Sequence, residues 1–204
     1  MTIMTAASLD GFFKDALDDA FKVRKLEASP AATSYLVAVL AEFARPDARM
    51  GATLDRPLSI LLDEAVHTSE LGERFERLRV LGDGVLYSSG FFADHFERRG
   101  VDQSYLIGIG SGAYARASSI LRTGGEDKAP NLFRELADRF QAFVGVIGEV
   151  ANLTIAKSVE SSRSILRVYE RWLKTRSETL ADALNAQGFH AVAGPSKRGK
   201  KDLS

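Results

Sequence analysis

An all-α bundle of six or seven helices, with long helices towards its C-terminal end, is the fold the sequence predicts. Three observations predict it. Apolar residues recur at three- and four-residue spacing along most of the chain. No stretch alternates polar and apolar residues with the period of two that marks a strand. Prolines such as Pro30, Pro57 and Pro130, and glycines such as Gly100, Gly124 and Gly125, fall where helices begin and end. The bundle is expected over residues 1–187, with 188–204 as a disordered basic tail carrying Lys197, Arg198, Lys200 and Lys201.

Composition sets the bounds. The chain has 204 residues, 45% hydrophobic and 26% charged, enough to bury a core without covalent staples. It has no cysteine, which excludes disulfides and thiolate metal sites. The 27 basic and 27 acidic side chains balance, which argues against a general nucleic-acid or anionic-membrane surface. The opening "MTIMTAASLDGFF" lacks the basic and apolar regions of a signal peptide, and no window matches a membrane span. A cytoplasmic protein is expected.

The elements follow in order. Ser8 is a candidate cap for a helix running to about Glu27, with Leu9, Phe13, Leu17, Phe21 and Arg24 on one side. Ser29 before Pro30 is an N-cap followed by proline at the first helical position, and that helix ends before Pro46. Asp55 and Pro57 start a short helix with Leu58, Leu61, Leu62 and Ala65 inward. Thr68 or Ser69 caps the next, which runs to about Arg99 with Leu71, Phe75 and Leu78 inside and stops at Gly100. Asp102 caps the following helix, which Gly124 and Gly125 end. Ala129 and Pro130 open the C-terminal part.

There the apolar stripe runs Leu132, Leu136, Phe140, Phe143, Ile147 and Val150, and resumes at Ile155, Val159, Ser162, Leu166, Tyr169, Leu173, Arg176 and Leu180. This predicts either one helix of about 57 residues, about 85 Å long, or two of about 28 with a bend near 158–164.

One stretch, "SYLIGIGSGAYARA", matches a dinucleotide-binding fingerprint at Gly108, Gly110 and Ala113, with Glu126 and Asp127 near the ribose-binding distance. That turn needs a strand before it and another ending at the acid, and neither is present. Helical spacing accounts for the same residues. Leu106, Ile109, Ala113, Ala117 and Ile120 make an apolar face, and Tyr105, Gly108, Gly112, Ala115 and Ser119 a face of mostly small residues. Glycine in a helix costs about 1 kcal/mol relative to alanine. Close approach of a second glycine-rich helix, with Gly82, Gly84, Ser88, Ser89 and Gly90, would compensate. Room for a small ligand between the two helices is the alternative.

Asp83 lies between Gly82 and Gly84 in an apolar turn, and a buried carboxylate must be paired or protonated. Arg116, Tyr87, Tyr105 and Tyr114 are the candidate partners. Together these five are either a lock on a helix crossing or the polar anchors of a ligand pocket. Glu64 and His67 have the spacing that di-metal bundles use, but such bundles need a second pair, and the Asp94, His95 and Glu97 segment does not supply one. No metal site, cofactor or catalytic constellation is expected.

The stretches "YLVAVLAEF", "LRVLGDGVLYSSGFF" and "YLIGIGSGAYARAS" together resemble a motif order found in all-helical bacterial proteins of uncharacterised function. The resemblance covers about residues 35–120. It implies that the two glycine-rich helices form a recurring unit, and it implies no activity, cofactor or catalytic residue.

The expected function is therefore non-catalytic. A helical protein acts by self-association or by binding a protein partner, with a homo-oligomer buried through residues 130–187 and Tyr169, Trp172 and Leu173 at the contact. A sensor of a small apolar ligand is the runner-up, and a helical enzyme comes third.

Overall fold

The structure, a computed structural model, describes residues 6–45, 56–123, 132–157 and 162–189. They form ten helices and no strand. These are α1 (Ala6–Arg24), α2 (Pro30–Phe43), α3 (Leu58–His67), α4 (Leu71–Phe91), α5 (Ala93–Arg98), α6 (Gln103–Thr123), α7 (Leu132–Asp138), α8 (Phe140–Lys157), α9 (Ser162–Thr175) and α10 (Glu178–Ala186). None of them is long and apolar enough to cross a membrane. The all-α class holds, but the helix number exceeds the six or seven expected. The described residues divide into two compact units, 1–151 and 152–204, where the sequence reading draws one bundle over 1–187. Residues 190–204, Asp55, Gly124 to Pro130 and positions 158–161 of the bend expected near 158–164 lie outside the described residues, while 162–164 are helical.

In the first unit, α1 is already helical at Ala6, so Ser8 is not its cap, and it ends at Arg24 because Lys25 takes a left-handed φ of 50°. Phe13, Leu17 and Phe21 are its buried face, as their four-residue spacing requires. Ser29 caps α2 as expected: its extended backbone lets the hydroxyl accept from the Ala32 N–H, and Pro30 stands at the first position. Glu70, rather than Thr68 or Ser69, caps α4, accepting from the Glu73 N–H. Leu71 consequently sits at the start of the first turn and is exposed, contrary to expectation.

The helix expected to continue to Arg99 breaks at Phe92. Its backbone (φ −118°, ψ 29°) leaves the helical region and sets its ring edge-on to Tyr87. Gly100 does terminate the second piece, with φ 70°. Asp102 receives the Ser104 N–H at 2.6 Å, as an N-cap does.

The C-terminal stripe is not one helix of about 57 residues: α7 and α8 together run over 132–157, near the length of the two-helix alternative, while its second half is interrupted at Arg176. α7 and α8 part only at Arg139, across which the i to i−4 bonds of Arg139 and Phe143 continue. In the second unit α9 ends at Thr175. Arg176 adopts φ 53°, its guanidinium lying 4.9 Å from the Trp172 ring centre, and Ser177 restarts the chain as α10. Val168, Trp172, Leu180 and Leu184 form the unit's core, with Ile155, Ala156 and Ile165 against it. Trp172 is thus buried in its own unit, whereas Tyr169 and Leu173 are exposed.

The two glycine-rich helices, α4 and α6, do pack together, but by a different face. A Cβ at Gly108 would meet nothing within 4 Å, and Ser119 and Tyr105 are exposed, so the small-residue face looks outward. The close approaches are made by aromatic rings. A Cβ at Gly82 would come within 2.5 Å of Tyr114, and one at Gly110 would strike the Phe140 ring. Gly82 and Gly110 are thus sockets for rings, whereas Gly90 of α4 packs against Ile147 and the backbone of Gly148 on α8. Gly82→Ala and Gly110→Ala should therefore each destabilise by about 1–3 kcal/mol through overpacking. Gly108→Ala should be neutral or stabilise by up to about 1 kcal/mol. Urea melts of the three variants check the ordering, and equal effects would contradict the assignment of faces.

Candidate functional site

Asp83 is the centre of a buried polar cluster that joins three helices. It stands in the middle of α4, 3% exposed. One carboxylate oxygen accepts the hydroxyl of Tyr35 on α2 at 2.7 Å and that of Tyr114 on α6 at 2.6 Å. The other accepts Nη1 of Arg79, one turn back on α4, at 2.8 Å. Arg79 also grips Glu76 through Nε and Nη2, at 2.9 and 2.5 Å. Phe133 of α7 covers the two tyrosine rings, with centroids 5.5 and 5.8 Å away. The carboxylate therefore ties α2, α4 and α6 together beneath an aromatic lid.

The electrostatics follow from burial. Removal from water pushes the Asp83 carboxyl up to about 6, against the pull of the Tyr114 and Tyr35 hydroxyls and the Arg79 charge. Burial first, and then the Asp83 charge, raise both tyrosine hydroxyls far above their usual range, so they stay donors. The Glu76 carboxylate, then Tyr35 and Asp83, hold Arg79 firmly protonated. At neutral pH one carboxylate faces three donors, a satisfied arrangement with its lone pairs directed at its own chain.

Of the residues the sequence singles out, the structure joins Tyr114 to Asp83 and leaves the others elsewhere. Arg116 is exposed and donates to the Gly112 carbonyl. It lies two positions from Tyr114, about 200° round the helix, and cannot share its face. Tyr87 stacks between Phe43 and Phe91, with centroids 4.9 and 4.8 Å away. Tyr105 accepts the Ser59 N–H at 3.2 Å, linking α6 to the first turn of α3. Tyr35 and Arg79 are the partners that sequence reasoning missed. Arg79 carries a local signal, the i, i+4 spacing to Asp83. Tyr35 carries none.

The Glu64 and His67 pair is not assembled for metal. Both Glu64 oxygens receive Arg56, while His67 bonds the Asp63 carbonyl at the surface. His95 is exposed beside Phe96. Among the described residues no group of three histidine, aspartate or glutamate side chains is placed to hold a metal ion. The fingerprint glycines lie inside helix α6, with no strand before them; Glu126 and Asp127 lie outside the described residues.

A different kind of site lies in the second unit. Ile165, Leu166 and Tyr169 of α9, Leu184 of α10 and Phe189 line an apolar groove of about 340 Å³. Leu166 is 56% exposed, Phe189 52%, and Tyr169 and Leu173 41% each. Exposed apolar residues elsewhere, such as Val23, Ile60 and Val80, sit singly on different helices, which is ordinary for a protein surface.

No protein-family model, curated protein or solved structure matches the chain. The resemblance over residues 35–120 thus rests on its three motifs alone.

The Asp83 cluster generates a test of its role. Asp83→Leu strands two buried hydroxyls and a guanidinium and should destabilise by about 3–5 kcal/mol. Asp83→Asn turns an amide donor on one of three donors and should cost about 1–2 kcal/mol. Between pH 3.8 and about 6 the folded protein holds a proton that the unfolded chain has lost. This group's contribution is therefore full in acid and is lost as pH rises through 6. The unfolding free energy of the parent minus that of Asp83→Asn should fall by roughly 3 kcal/mol or less between pH 4 and 7, then level off. Thermal melts across that range check it; a difference that rises with pH would contradict the assignment.

Proposed function

We propose that this is a non-catalytic helical binding protein that works in the cytoplasm and contacts another protein chain through its second unit. The observation that carries the reading is the exposure of Leu166, Tyr169 and Phe189 around one apolar groove, with Leu173 exposed on the same helix. Contiguous exposed apolar surface on a soluble domain marks a place where something else sits. The first unit supports the reading in another way. Asp83 has its lone pairs engaged by Tyr35, Tyr114 and Arg79, so it serves as a lock rather than as a ligand anchor. Self-association through residues 130–187 is the companion form of the same reading, with Tyr169 and Leu173 at the contact.

The test is photo-crosslinking in living cells. A photoreactive residue is placed at position 166, at 173, and at the exposed control position of Lys14 on α1. Adducts are expected from 166 and 173 and not from 14. An adduct of twice the chain's mass indicates self-association, and one of any other mass a partner. No adduct from 166 or 173 would overturn the reading. Light scattering at tens of micromolar supplies the second measurement: a concentration-independent monomer mass removes the self-association form and leaves partner binding.

A further inference from the structure

Four described residues take a left-handed φ: Lys25 at 50°, Gly100 at 70°, Arg176 at 53° and Gly188 at 79°. For three of them the sequence accounts for the break. Gly100 and Gly188 accept that conformation at no steric cost. Lys25 opens a connection that ends at Pro30, and a proline there cannot be carried inside a helix running on from α1. Arg176 has no such reason. It carries a Cβ, only Ser177 separates it from α10, and the chain has no proline or glycine from 149 to 187.

The hairpin of α9 and α10 thus turns on two residues. Ser177 is extended (φ −62°, ψ 128°), its side chain does not cap α10, and its N–H donates to Thr175 Oγ1 at a long 3.4 Å. On either side the helical ladder is intact, with Arg176 N–H on the Trp172 carbonyl at 2.8 Å and Ala181 N–H on that of Ser177 at 3.1 Å. Rotating these two residues into the helical region joins α9 and α10 into one helix over 162–186, about 37 Å long. It also forms the bonds from the N–H groups of 177–180 to the carbonyls of 173–176. At about 100° per residue, Ile165, Val168, Trp172, Leu180 and Leu184 then fall within about 160° of one helix. The side chains of the unit's core become a single stripe that no longer closes on its own chain.

We infer that two copies of this chain associate by exchanging α10. Each copy straightens at Arg176, and its α10 packs on the α9 of the other in place of that copy's own. The exchange restores the contacts between α9 and α10, because identical surfaces change places, and it removes the left-handed arginine twice. Closure within one chain wins at low concentration, because exchange costs the freedom of two molecules. The two Arg176 side chains meet near the two-fold axis, and salt that screens them favours exchange. This inference deepens the self-association form of the reading above and moves the contact from the exposed stripe to the hairpin's own core. Partner binding at the groove does not depend on it.

Spin labels test it. The chain has no cysteine, so Arg167→Cys and Asn185→Cys, both at exposed positions, place two labels on the full chain. Val168 and Leu184 beside them share one core in the hairpin, which holds the labels close. In the joined helix they are separated by 18 positions, about 27 Å. Labelled chain is mixed with a large excess of unlabelled chain, unfolded in urea, refolded at millimolar concentration and separated by size. Double electron–electron resonance then reads the distance within one chain. The dimer should show about 27 Å and the monomer a shorter distance. Arg176→Gly suits the left-handed hinge and weakens the joined helix, so it should lower the dimer association constant at least about tenfold. Arg176→Val resists the left-handed region and should raise it by about tenfold. Leu166→Glu, on the exposed stripe, should leave it unchanged.

A dimer whose labels keep the monomer's distance would overturn exchange. If Leu166→Glu also abolishes that dimer, self-association belongs to the exposed groove and the wider reading stands. Equal association constants for Arg176→Gly and Arg176→Val would overturn exchange as well. A chain that stays monomeric after refolding, Arg176→Val included, would overturn both exchange and the self-association form, while the crosslinking result judges partner binding separately.

Discussion

One buried carboxylate organises the first unit. An ionised side chain in an apolar interior is tolerated only if its lone pairs are filled, and Asp83 fills them from three directions with groups that cannot come from its own turn alone. Tyr35 must arrive on α2 and Tyr114 on α6, so the requirement of one residue fixes how three helices meet. Tyr114 serves twice, its ring seated on Gly82 and its hydroxyl on Asp83. Packing and polar satisfaction are therefore the same constraint at this point. Phe133 and Phe140, which cover that ring, pass the constraint on to α7 and α8.

A second, more exposed polar tie works in the same manner. Glu135 of α7 accepts the Ser29 N–H and Arg139 Nη1, each at 3.1 Å, and Arg139 also donates to the Glu27 carbonyl. Burial would raise the Glu135 carboxyl, but these donors outweigh it and hold it below its usual value. The connection between α1 and α2 is thus fastened to α7 by charge and α2 to α4 by the Asp83 cluster. The long-range order of this unit is set by few polar contacts laid over a broad apolar interior.

Much of this was legible in the sequence where the determinant is local. Ser29 with Pro30, Asp102 before α6 and Gly100 after α5 each act through backbone groups a few residues away, and each stands where expected. The apolar face of Leu106, Ile109, Ala113 and Ala117 follows from helical period alone. The misreadings arose where two stripes overlap on one helix. Gly108 and Gly110 both adjoin Ile109, and only the position of Phe140 decides which of them is enclosed. On α9 the stripe of Leu166, Tyr169 and Leu173 reads as core as well as Val168 and Trp172 do, and α10 chooses between them by folding back at Arg176. Asp83 itself could be recognised from its apolar setting, and Arg79 from its spacing. Tyr35 could not, because nothing local distinguishes a tyrosine that will meet a carboxylate 48 positions later.

The Asp83 cluster also prescribes how distant kin would be recognised. Its members are few and their chemistry is hard to exchange: a tyrosine, then arginine, glycine and aspartate as "RVLGD" at 79–83, then a second tyrosine 31 positions after the acid. Losing any one of them burdens the rest, so sequence drift would proceed by joint replacement, for instance of the acid and both hydroxyls by apolar side chains of matching volume. The surrounding leucines and alanines are interchangeable by comparison. A sparse template of these five positions, with helical periodicity between them, is accordingly a better guide to ancestry than overall identity, which is diluted by residues that answer only to the rule of staying apolar.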